Sequence, residues 1–278
     1  MSIGTLYIIA TPIGNLEDIT LRALRILKDV DLIAAEDTRH SRKLLSHFGI
    51  SKPLTSYFDH NKNIKGAFIL DKLRNGMSVA LISDAGTPCI SDPGYQLVRD
   101  AVREGIAVVP IPGPCAAVSA LSASGLPTDS FAFEGFLPNR AGKRREKLGR
   151  LKDESRVLIF YESPTRLVAS LSDILEIMGD REVVLAREVT KVYEEFIRGP
   201  LLHVMESLKE RQVKGEIVVI LAPHDSVAGT VDDRDIEEML ERYIASDGLS
   251  VKDAVKRVAL ETGTPRSMVY GAALRLKR

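Results

Sequence analysis

One segment of the sequence, residues 84–94 (DAGTPCISDPG), combines two Asp, two Gly and two Pro. It directly follows a short apolar run, which predicts that it lies at the end of a buried strand. Glycine lets the backbone approach a ligand closely, and the Asp84 carboxylate can accept hydrogen bonds from hydroxyl or ammonium groups. This composition predicts a ligand-binding loop rather than a plain connection.

A second segment of this kind, residues 112–117 (PGPCAA), leads into a short apolar helix that is predicted over residues 115–124. The first amide N–H groups of a helix have no partner inside the helix and attract anions. We therefore expect this helix start to bind a carboxylate of a ligand.

Residues 5–111 show a regular alternation of apolar runs and helical patterns, which contains the first segment and ends directly before the second. Runs such as TLYIIA, LIAAE and VALIS are apolar throughout, which is typical of parallel strands that helices cover on both faces. The carboxyl ends of parallel strands meet at one edge of the sheet, where ligands bind. We expect a site at that edge; the alternative is that each of its residues only shapes a turn. The segments that converge there are residues 11–15, 37–39, 59–60, 84–88 and 113–114.

A second series of strand-like runs begins after residue 118 and comprises FAFEGF, RVLIFYE, EVVLARE and EIVVILA. A polar stretch at residues 223–230 follows the last run and is typical of a linker. Beyond it, three amphipathic patterns predict helices, and Thr20 and Ser250 are predicted helix N-caps. The sequence thus predicts an α/β protein with two α/β domains and a small helical domain resembling a helix-turn-helix. The predicted domains are residues 1–118, 119–228 and 232–278, and the three helices are residues 232–246, 250–262 and 264–277.

Composition argues against several classes of protein. Lys plus Arg and Asp plus Glu both number 38, so any binding of a polyanion requires a local patch. The two cysteines and the lack of an apolar leader predict a cytoplasmic, reduced protein without disulfides. Prolines interrupt the longest apolar stretch, residues 105–126, so no membrane-spanning helix is predicted. The five histidines are scattered, so no metal site is predicted.

Three common catalytic signatures are missing from the sequence. No two glycines are separated by a single residue, so the G-x-G-x-x-G dinucleotide fingerprint is absent. The Gly-Lys-Ser/Thr phosphate loop and the G-x-S-x-G nucleophile elbow are absent too. These absences argue against a nicotinamide-dependent dehydrogenase, a P-loop ATPase and a serine hydrolase.

Basic residues cluster in residues 139–150, just after the predicted strand FAFEGF. Such a cluster predicts a phosphate-binding patch, although a solvated helix face has the same composition. The C-terminal helices have the apolar rhythm of a helix-turn-helix and could bind nucleic acid or only pack on the rest of the protein. The residues of the patch are Arg140, Lys143, Arg144, Arg145, Lys147 and Arg150.

Seven segments follow one another along nearly the whole chain: TPIGNLEDIT, AAEDTRHSRKLL, LISDAGTPCISDPG, PIPGPCAAVSAL, GFLP, FYESPTRL and AREVTKVYEE. In these segments the chain resembles the ribosomal RNA small subunit methyltransferase I family of the tetrapyrrole methylase superfamily. The resemblance implies S-adenosylmethionine-dependent 2'-O-methylation of a cytidine ribose in small-subunit ribosomal RNA by a homodimer. It also implies the tetrapyrrole methylase fold, in which two α/β domains hold the cofactor in the cleft between them.

The resemblance also assigns residues to the cofactor cleft. Cys115 stands where a Ser or another small residue is expected, so the resemblance supports no hydroxyl hydrogen bond at that position. The implied cofactor-binding residues are Pro12, Ile13, Asp84, Ala85, Gly86, Thr87, Cys115, Ala116, Tyr161, Ala186 and Gly215, with Glu216 as an addition.

The methyl group of that cofactor is already activated, so the main task of the protein is to align sulfur, methyl and ribose oxygen. The ribose hydroxyl is a weak acid, and the candidates for a general base are Asp37, His60 and Lys191. We expect Glu36, Asp37 and Arg39 to hold the substrate nucleotide, with Arg39 toward phosphate; a structural Arg–Asp pair is the alternative. From the basic patch, the residues expected to bind substrate are Arg140, Lys143, Arg144 and Arg145.

Two other functions remain open at this point. Other members of the superfamily methylate tetrapyrroles and the diphthamide precursor, so the substrate could be a small molecule. The chain could also be a nucleic-acid-binding regulator whose degenerate methylase domain senses the cofactor, although the intact SDAGTP and IPGPCAA runs argue against degeneracy. The basic patch and the helical domain favour ribosomal RNA within the small ribosomal subunit as the partner.

Overall fold

The computed structural model describes residues 3–209, 211–224, 233–246, 248–262, 264 and 266–276. The chain divides into two compact units, Met1–Pro223 and His224–Arg278. The first unit holds two sheets, so the domain boundary expected near residue 118 stays a prediction. The predicted linker falls mostly on residues 225–230, which lie outside the described residues.

The first sheet contains five strands, all parallel, as the sequence predicts. Their spatial order is β3-β2-β4-β1-β5, so β4 is central and β1 lies beside it. In chain order the elements are β1 (Thr5–Ile9), α1 (Leu21–Asp29), β2 (Leu32–Ala35), α2 (Thr38–His47), β3 (Leu54–Ser56), α3 (Lys62–Arg74), β4 (Val79–Ile82), α4 (Tyr95–Arg103) and β5 (Ala107–Ile111).

Helices cover both faces of the first sheet, which explains why its strands are apolar throughout. On one face, α1 and α2 bury Leu27 and Leu45. On the other face, α3 and α4 bury Ile69 and Leu97. Because both faces are covered, the loops at the carboxyl edge of the sheet remain the place where a ligand can reach it.

The second sheet is mixed, with the spatial order β6-β7-β10-β8-β9. Strands β6 and β7 are parallel, whereas β7, β10, β8 and β9 pair in antiparallel fashion in turn. In chain order the elements are α5 (Ala116–Ser122), β6 (Phe131–Phe136), α6 (Ala141–Arg150), β7 (Val157–Glu162), α7 (Pro164–Met178), β8 (Glu182–Arg187), β9 (Glu195–Pro200), α8 (Leu201–Leu208) and β10 (Ile217–Leu221).

Strand β9 was not predicted from the sequence. This strand pairs with β8 at the edge of the sheet, and its residues are half-buried or exposed. It carries the charged residues Glu195 and Arg198 and ends with Gly199 and Pro200. Edge strands carry charge and proline because one of their sides faces solvent, and this composition hid the strand.

Helix α5 connects the two sheets. It follows β5 of the first sheet and packs Ala117, Ala120 and Leu121 against one face of the second sheet. Helices α6, α7 and α8 cover the opposite face. The small side chains of α5 let the helix lie close to the strands, and they bring the loop that precedes it next to the second sheet.

Two helices begin at the predicted caps. The Thr20 hydroxyl accepts a hydrogen bond from the Ala23 N–H at 3.1 Å and caps α1. The Ser250 hydroxyl accepts from the Asp253 N–H at 3.2 Å at the start of the helix Val251–Thr262. Each bond satisfies an amide that the first turn of a helix leaves unpaired.

The second unit is helical, as expected. Its apolar side chains meet in one small core that includes Leu240, Val258 and Val269. No helix within the described part of the chain is both long and apolar enough to cross a membrane. The elements of this unit are α9 (Asp233–Glu241), a π-helical turn (Arg242–Ser246), α10 (Val251–Thr262) and α11 (Arg266–Arg275).

The basic patch of residues 139–150 lies on α6, but Arg144 is not part of an exposed surface. Arg144 is only 6% exposed, and its Nη2 lies 2.6 Å from Oδ2 of the buried Asp173 on α7. Arg145 pairs with the other oxygen of Asp173 at 2.8 Å. The expectation that Arg144 contacts substrate is therefore corrected: its charge is used inside the protein, where it holds α6 on α7.

The rest of the patch is also partly neutralised. Lys147 pairs with Glu134 at 3.0 Å, and Arg150 pairs with Glu146 at 2.5 Å. Arg145 and Arg150 are exposed but paired, whereas Arg140 and Lys143 are exposed and pair with no described carboxylate. The segment therefore offers less free positive charge than its sequence indicates.

Replacement of Arg144 by Ala should lower the free energy of unfolding by about 3–5 kcal/mol, because it removes the closest partner of a buried carboxylate. Lys143→Ala, at the neighbouring exposed position, is the matched control and should leave the unfolding midpoint unchanged. Urea denaturation followed by circular dichroism measures both variants. Equal midpoints would contradict the structural role of Arg144.

Candidate active site at the carboxyl edge of the first sheet

The loops after β1 and β4 are tied together at the carboxyl edge of the first sheet. Thr11 N–H donates to the Gly86 carbonyl at 2.9 Å, and Gly86 N–H donates to the Thr11 carbonyl at 3.0 Å. The buried Thr11 hydroxyl also donates to the Ser83 carbonyl at 3.1 Å. These bonds hold residues 11–15 and 84–88 against each other.

Glycine is required at position 86. Its φ of +84° lies in the left-handed region, and a Cβ there would lie 3.3 Å from Cγ2 of Ile13. The next residue, Thr87, donates its hydroxyl to the Pro114 carbonyl at 3.1 Å and so ties in the loop after β5. Three of the five predicted loops therefore meet at one place.

A cavity of about 310 Å³ lies between these loops and the second sheet. The start of α5, the end of β7 and the start of β10 supply its other walls. The structure brings together most of the residues that the sequence assigned to a cofactor cleft, and their role as ligands stays a prediction. Those that line the cavity are Ile13, Ala85, Gly86, Thr87, Cys115, Ala116, Tyr161, Gly215 and Glu216.

The other three expected cofactor residues do not line this cavity. Ala186 is fully buried on β8, where its methyl group packs in the core beneath α5, so it has no side-chain contact with the cavity. Asp84 lies at the rim, and its Oδ1 accepts a hydrogen bond from the Asp37 N–H at 3.1 Å. Pro12 is buried in the loop after β1.

Tyr161 forms one side of the cavity. Its ring packs edge-to-face against Phe133 and Phe136, with centroid distances of 4.9 and 5.6 Å. Its hydroxyl accepts a hydrogen bond from the Ala117 N–H at 3.2 Å. Burial, reinforced by the neighbouring Cys115, raises the pKa of Tyr161 to about 12, so the phenol stays protonated at neutral pH.

The contact of Tyr161 with Ala117 uses one of the amide N–H groups at the start of α5. The sequence predicts that these groups bind a carboxylate of a ligand, and the helix has only seven residues, which limits its dipole. Cys115 and Ala116 line the cavity at this helix start, and its binding of a carboxylate stays a prediction.

Asp92 is a cavity-lining carboxylate that the sequence analysis did not single out. Burial raises its pKa, a hydrogen bond with Ser83 offsets part of that effect, and the charge of Asp84 raises it further. Burial and the nearby charges of Asp92 and Asp84 also raise the pKa of Glu36. Among the described residues, no group of three His, Cys, Asp or Glu side chains is arranged to hold a metal ion.

The backbone before Asp92 is strained. Cys89 and Ser91 have φ values of +72° and +64°, which cost free energy in residues other than glycine. Burial and the charge of Asp92 raise the pKa of the Cys89 thiol to about 11, so this cysteine is not a nucleophile at neutral pH. No residue pattern predicts such a turn, although the sequence did flag the loop that contains it.

Asp37 and Arg39 lie outside the cavity, at the start of α2. The Asp37 carboxylate accepts a hydrogen bond from the Arg39 N–H at 2.7 Å, which lowers the pKa of Asp37 and makes it a weak base. Nε of Arg39 lies 3.9 Å from the same carboxylate, and the Arg39 side chain is 91% exposed. The pair is therefore loose, and the guanidinium remains open to solvent.

Lys191 and His60 also differ from the roles expected of them. Nζ of Lys191 lies 2.9 Å from Glu188 and 3.0 Å from Glu216. Burial lowers the pKa of Lys191, but these two hydrogen bonds outweigh it and raise the pKa overall, so the ammonium group is not a general base. His60 is exposed in the loop after β3, where its ring packs near that of Phe58.

Two known protein families match parts of this chain. The tetrapyrrole (corrin/porphyrin) methylase family matches residues 5–204, and the RsmI C-terminal HTH domain matches residues 230–277. The chain belongs to the tetrapyrrole methylase family. This result confirms the resemblance seen in the sequence and the fold class.

Curated relatives of this methylase carry the name ribosomal RNA small subunit methyltransferase I. The protein of Halalkalibacterium halodurans is 50% identical and the alignment covers 96% of this chain and 93% of that protein. The protein of Pseudomonas aeruginosa is 48% identical, with 99% and 98% covered. That of Escherichia coli O157:H7 is also 48% identical, with 98% and 95% covered.

Solved structures share the fold at lower identity. A cobalt precorrin-4 methyltransferase is 20% identical with a TM-score of 0.58 and covers 78% of this chain and 94% of its own. A uroporphyrin-III C-methyltransferase from Thermus thermophilus, complexed with S-adenyl homocysteine, is 20% identical with a TM-score of 0.53, with 79% and 97% covered. A diphthine synthase is 14% identical with a TM-score of 0.58, with 79% and 90% covered.

Replacement of Tyr161 by Phe should lower the free energy of unfolding by about 1–3 kcal/mol, because the buried Ala117 N–H loses its acceptor while the ring packing is kept. Tyr193→Phe is the matched control, since that side chain is 73% exposed. Urea denaturation of both variants measures the difference. A Tyr161→Phe protein as stable as the control would show that the hydrogen bond contributes nothing.

Proposed function

We propose that the protein is an S-adenosylmethionine-dependent methyltransferase that modifies small-subunit ribosomal RNA. The observation that carries this proposal is the 48–50% identity, over nearly the whole chain, to proteins named ribosomal RNA small subunit methyltransferase I. Both sheets and the cavity lie in the part of the chain that matches the methylase family, residues 5–204, or directly after it.

The cavity suits a cationic cofactor. The described residues that line it include Asp92, Glu162 and Glu216 but no Lys, Arg or His. Arg166 neutralises Glu162 and Lys191 neutralises Glu216, whereas no described basic side chain pairs with Asp92. S-adenosylmethionine carries an ammonium, a sulfonium and a carboxylate group, so its net charge is positive, and when bound it supplies an activated methyl group.

The rest of the wall also fits this cofactor. Ile13, Val189 and Phe136 give apolar surface for a purine ring. Gly86 and Gly215 have no side chains, which allows the ligand to approach the backbone closely. The residues proposed to hold the cofactor are the nine predicted ones that line the cavity.

The acceptor is proposed to be the 2'-hydroxyl of a cytidine, as the resemblance implies. A tetrapyrrole or a diphthamide precursor is less well supported, because solved structures of such enzymes are only 14–20% identical and share the fold alone. A regulator with a degenerate methylase domain is not favoured either, since the loops SDAGTP and IPGPCAA meet at one cavity.

Asp92 is proposed to accept the proton of the acceptor hydroxyl. It lines the cavity, and burial raises its pKa, which makes its carboxylate a stronger base than an ordinary Asp. The three earlier candidates fit less well. Asp37 has a lowered pKa, Lys191 has a raised one, and His60 is not among the residues that line the cavity.

Glu36 and Arg39 remain proposed contacts of the substrate nucleotide at the rim, and Arg140, Lys143 and Arg145 remain proposed contacts on α6. The homodimer rests on the resemblance alone, as does the small ribosomal subunit as the physical substrate. A cytoplasmic location is proposed because that substrate resides there and both cysteines are free thiols.

The test of the function is transfer of labelled methyl from S-adenosylmethionine to small ribosomal subunits that lack the modification. Naked small-subunit RNA and a tetrapyrrole precursor are assayed in parallel, with nucleoside analysis of the product. We expect label in 2'-O-methylcytidine. Label found only in the tetrapyrrole, or in no acceptor despite cofactor binding, would contradict the proposed function.

The protonation of Asp92 should determine how kcat/KM decreases at low pH. Wild-type kcat/KM should fall as the pH drops through the raised pKa of Asp92, because the protonated carboxyl cannot accept a proton. Asp92→Asn should lower kcat by about 10²-fold or more and remove this acid limb. Asp71→Asn, on the exposed side of α3, should keep the wild-type profile. An acid limb that persists in Asp92→Asn would rule out Asp92 as the base.

A further inference from the structure

We propose that the exposed basic face of α2, formed by Arg39, Arg42 and Lys43, docks an unpaired stretch of the RNA substrate together with the neighbouring aromatic pair Phe58 and His60. This proposal rests on the proposed function, because it takes RNA as the substrate. It goes further in naming the surface that holds the RNA and in separating that surface from the cavity. The basic face of α2 and the aromatic pair are called the docking surface below.

The basic face of α2 is built by the periodicity of the helix. Arg39, Arg42 and Lys43 are spaced i, i+3 and i+4, so they project from the same side, and all three are exposed. Leu45 is buried on the opposite side. Residues 38–58 contain no Asp or Glu, so no acidic side chain interrupts this face along the helix.

The positive charge of this face is available to a ligand. Among the described residues no ion pair involves Arg42 or Lys43, and Arg39 has only the loose contact with Asp37 at 3.9 Å. On α6, by contrast, carboxylates neutralise Arg144 and most of its neighbours. Free Lys and Arg side chains bind phosphates by releasing the counterions of the nucleic acid.

The aromatic pair lies beside the start of α2. Strands β2 and β3 are neighbours, and the Tyr57 N–H donates to the Ala35 carbonyl at 2.8 Å, so the loops after the two strands leave the sheet side by side. Phe58 is 36% exposed and His60 is exposed, with ring centroids 6.4 Å apart. Exposed aromatic rings stack on unpaired bases of any sequence.

The loop that carries Phe58 is held in place before any ligand binds. Oδ1 of Asn61 accepts a hydrogen bond from the Phe58 N–H at 2.9 Å. Nδ2 of Asn61 donates to the Ser56 hydroxyl at 3.2 Å and to its carbonyl at 3.3 Å. A prearranged loop loses little conformational entropy when a base stacks on it.

The docking surface adjoins the cavity. The Asp37 N–H at the start of α2 donates to Asp84 at 3.1 Å, and the next residue, Ala85, lines the cavity. Helix α2 has ten residues and extends about 15 Å from that contact. Glu36 and Asp92 lie at the cavity side, and their charge repels phosphate. The phosphates therefore stay on α2 while one nucleoside reaches the cavity.

The charge on α2 is tested with the double variant Arg42→Ala/Lys43→Ala. Its matched control is Lys28→Ala/Arg103→Ala, which removes the same charge from exposed side chains in the last turns of α1 and α4. These helix ends lie at the opposite edge of the first sheet, because each helix runs antiparallel to its strands. Methyl transfer to small subunits gives kcat and KM, and a fluorescent single-stranded fragment of the RNA gives Kd as a function of salt.

For the double variant, KM for the RNA substrate should rise about tenfold or more while kcat stays within about twofold. The slope of log Kd against log salt should become shallower by about 1.4, which corresponds to two lost phosphate contacts on a single strand. Binding of S-adenosylmethionine, measured by calorimetry, should not change. The exchange Arg42→Lys/Lys43→Arg keeps both charges and should behave like the wild type.

Phe58→Ala tests the aromatic part of the docking surface. It should weaken binding of the fragment by roughly tenfold without changing the salt slope, because stacking involves no counterion release. Phe131→Ala, at a ring of similar exposure on β6, is the matched control and should bind like the wild type. Equal Kd values for Phe58→Ala and this control would remove the aromatic pair from the proposal.

The outcomes separate this proposal from the proposed function. If the wild type methylates the RNA and the double variant matches its control in KM and salt slope, the docking surface is wrong and the function stands. If the wild type methylates no small-subunit RNA, the function is wrong. In that case the salt slopes of the fragment alone decide the docking surface, and equal slopes for the double variant and the wild type overturn it.

Discussion

The pair of backbone hydrogen bonds between Thr11 and Gly86 is the constraint on which the site depends. Beyond the last paired residues of β1 and β4, the parallel ladder gives the two loops no further partners. The Thr11–Gly86 exchange supplies them, and it fully buries Thr11, whose hydroxyl must then find its own acceptor in Ser83. Because Thr87 is hydrogen-bonded to Pro114, the start of α5 is held beside these two loops. The loops and the start of α5 then enclose the cavity together with the second sheet.

The ability of a basic segment to bind a nucleic acid depends on whether its charges are paired, more than on how many charges it has. Residues 139–150 look like the strongest basic segment in the sequence, yet Arg144 and Arg145 pair with Asp173 across the contact of α6 with α7. The charge of an arginine inside such a pair cannot release counterions from a nucleic acid. Helix α2 has fewer basic residues, but nothing acidic follows Asp37 until residue 59. In the described part of the chain its only ion pair is the loose contact of Arg39 with Asp37.

Much of the fold could be predicted from the sequence, because burial on both faces makes the parallel strands apolar throughout. Once the strands are known to be parallel, the edge of the sheet where their loops meet is known as well. The parts that were missed depend on tertiary context. Strand β9 is half solvated and carries charge, and Ala186 faces the core rather than the cavity because of its register on β8. Asp92 reaches the cavity through positive φ angles at Cys89 and Ser91, for which no local sequence signal exists.

The first unit has an acidic cavity and a basic helix face, and each of them favours a ligand of the opposite charge. Acidic side chains at the cavity, led by Asp92, favour a sulfonium cofactor and repel a phosphate, while the basic face of α2 does the reverse. The Debye length at physiological salt is about 8 Å, so each region acts mainly over its own neighbourhood. Because the basic face begins at the residues that contact the rim, a polyanion held there brings a nucleoside to the cavity without placing its phosphates inside. An equal number of acidic and basic residues is compatible with this arrangement, since the separation of the charges, and not their sum, directs each ligand to its place.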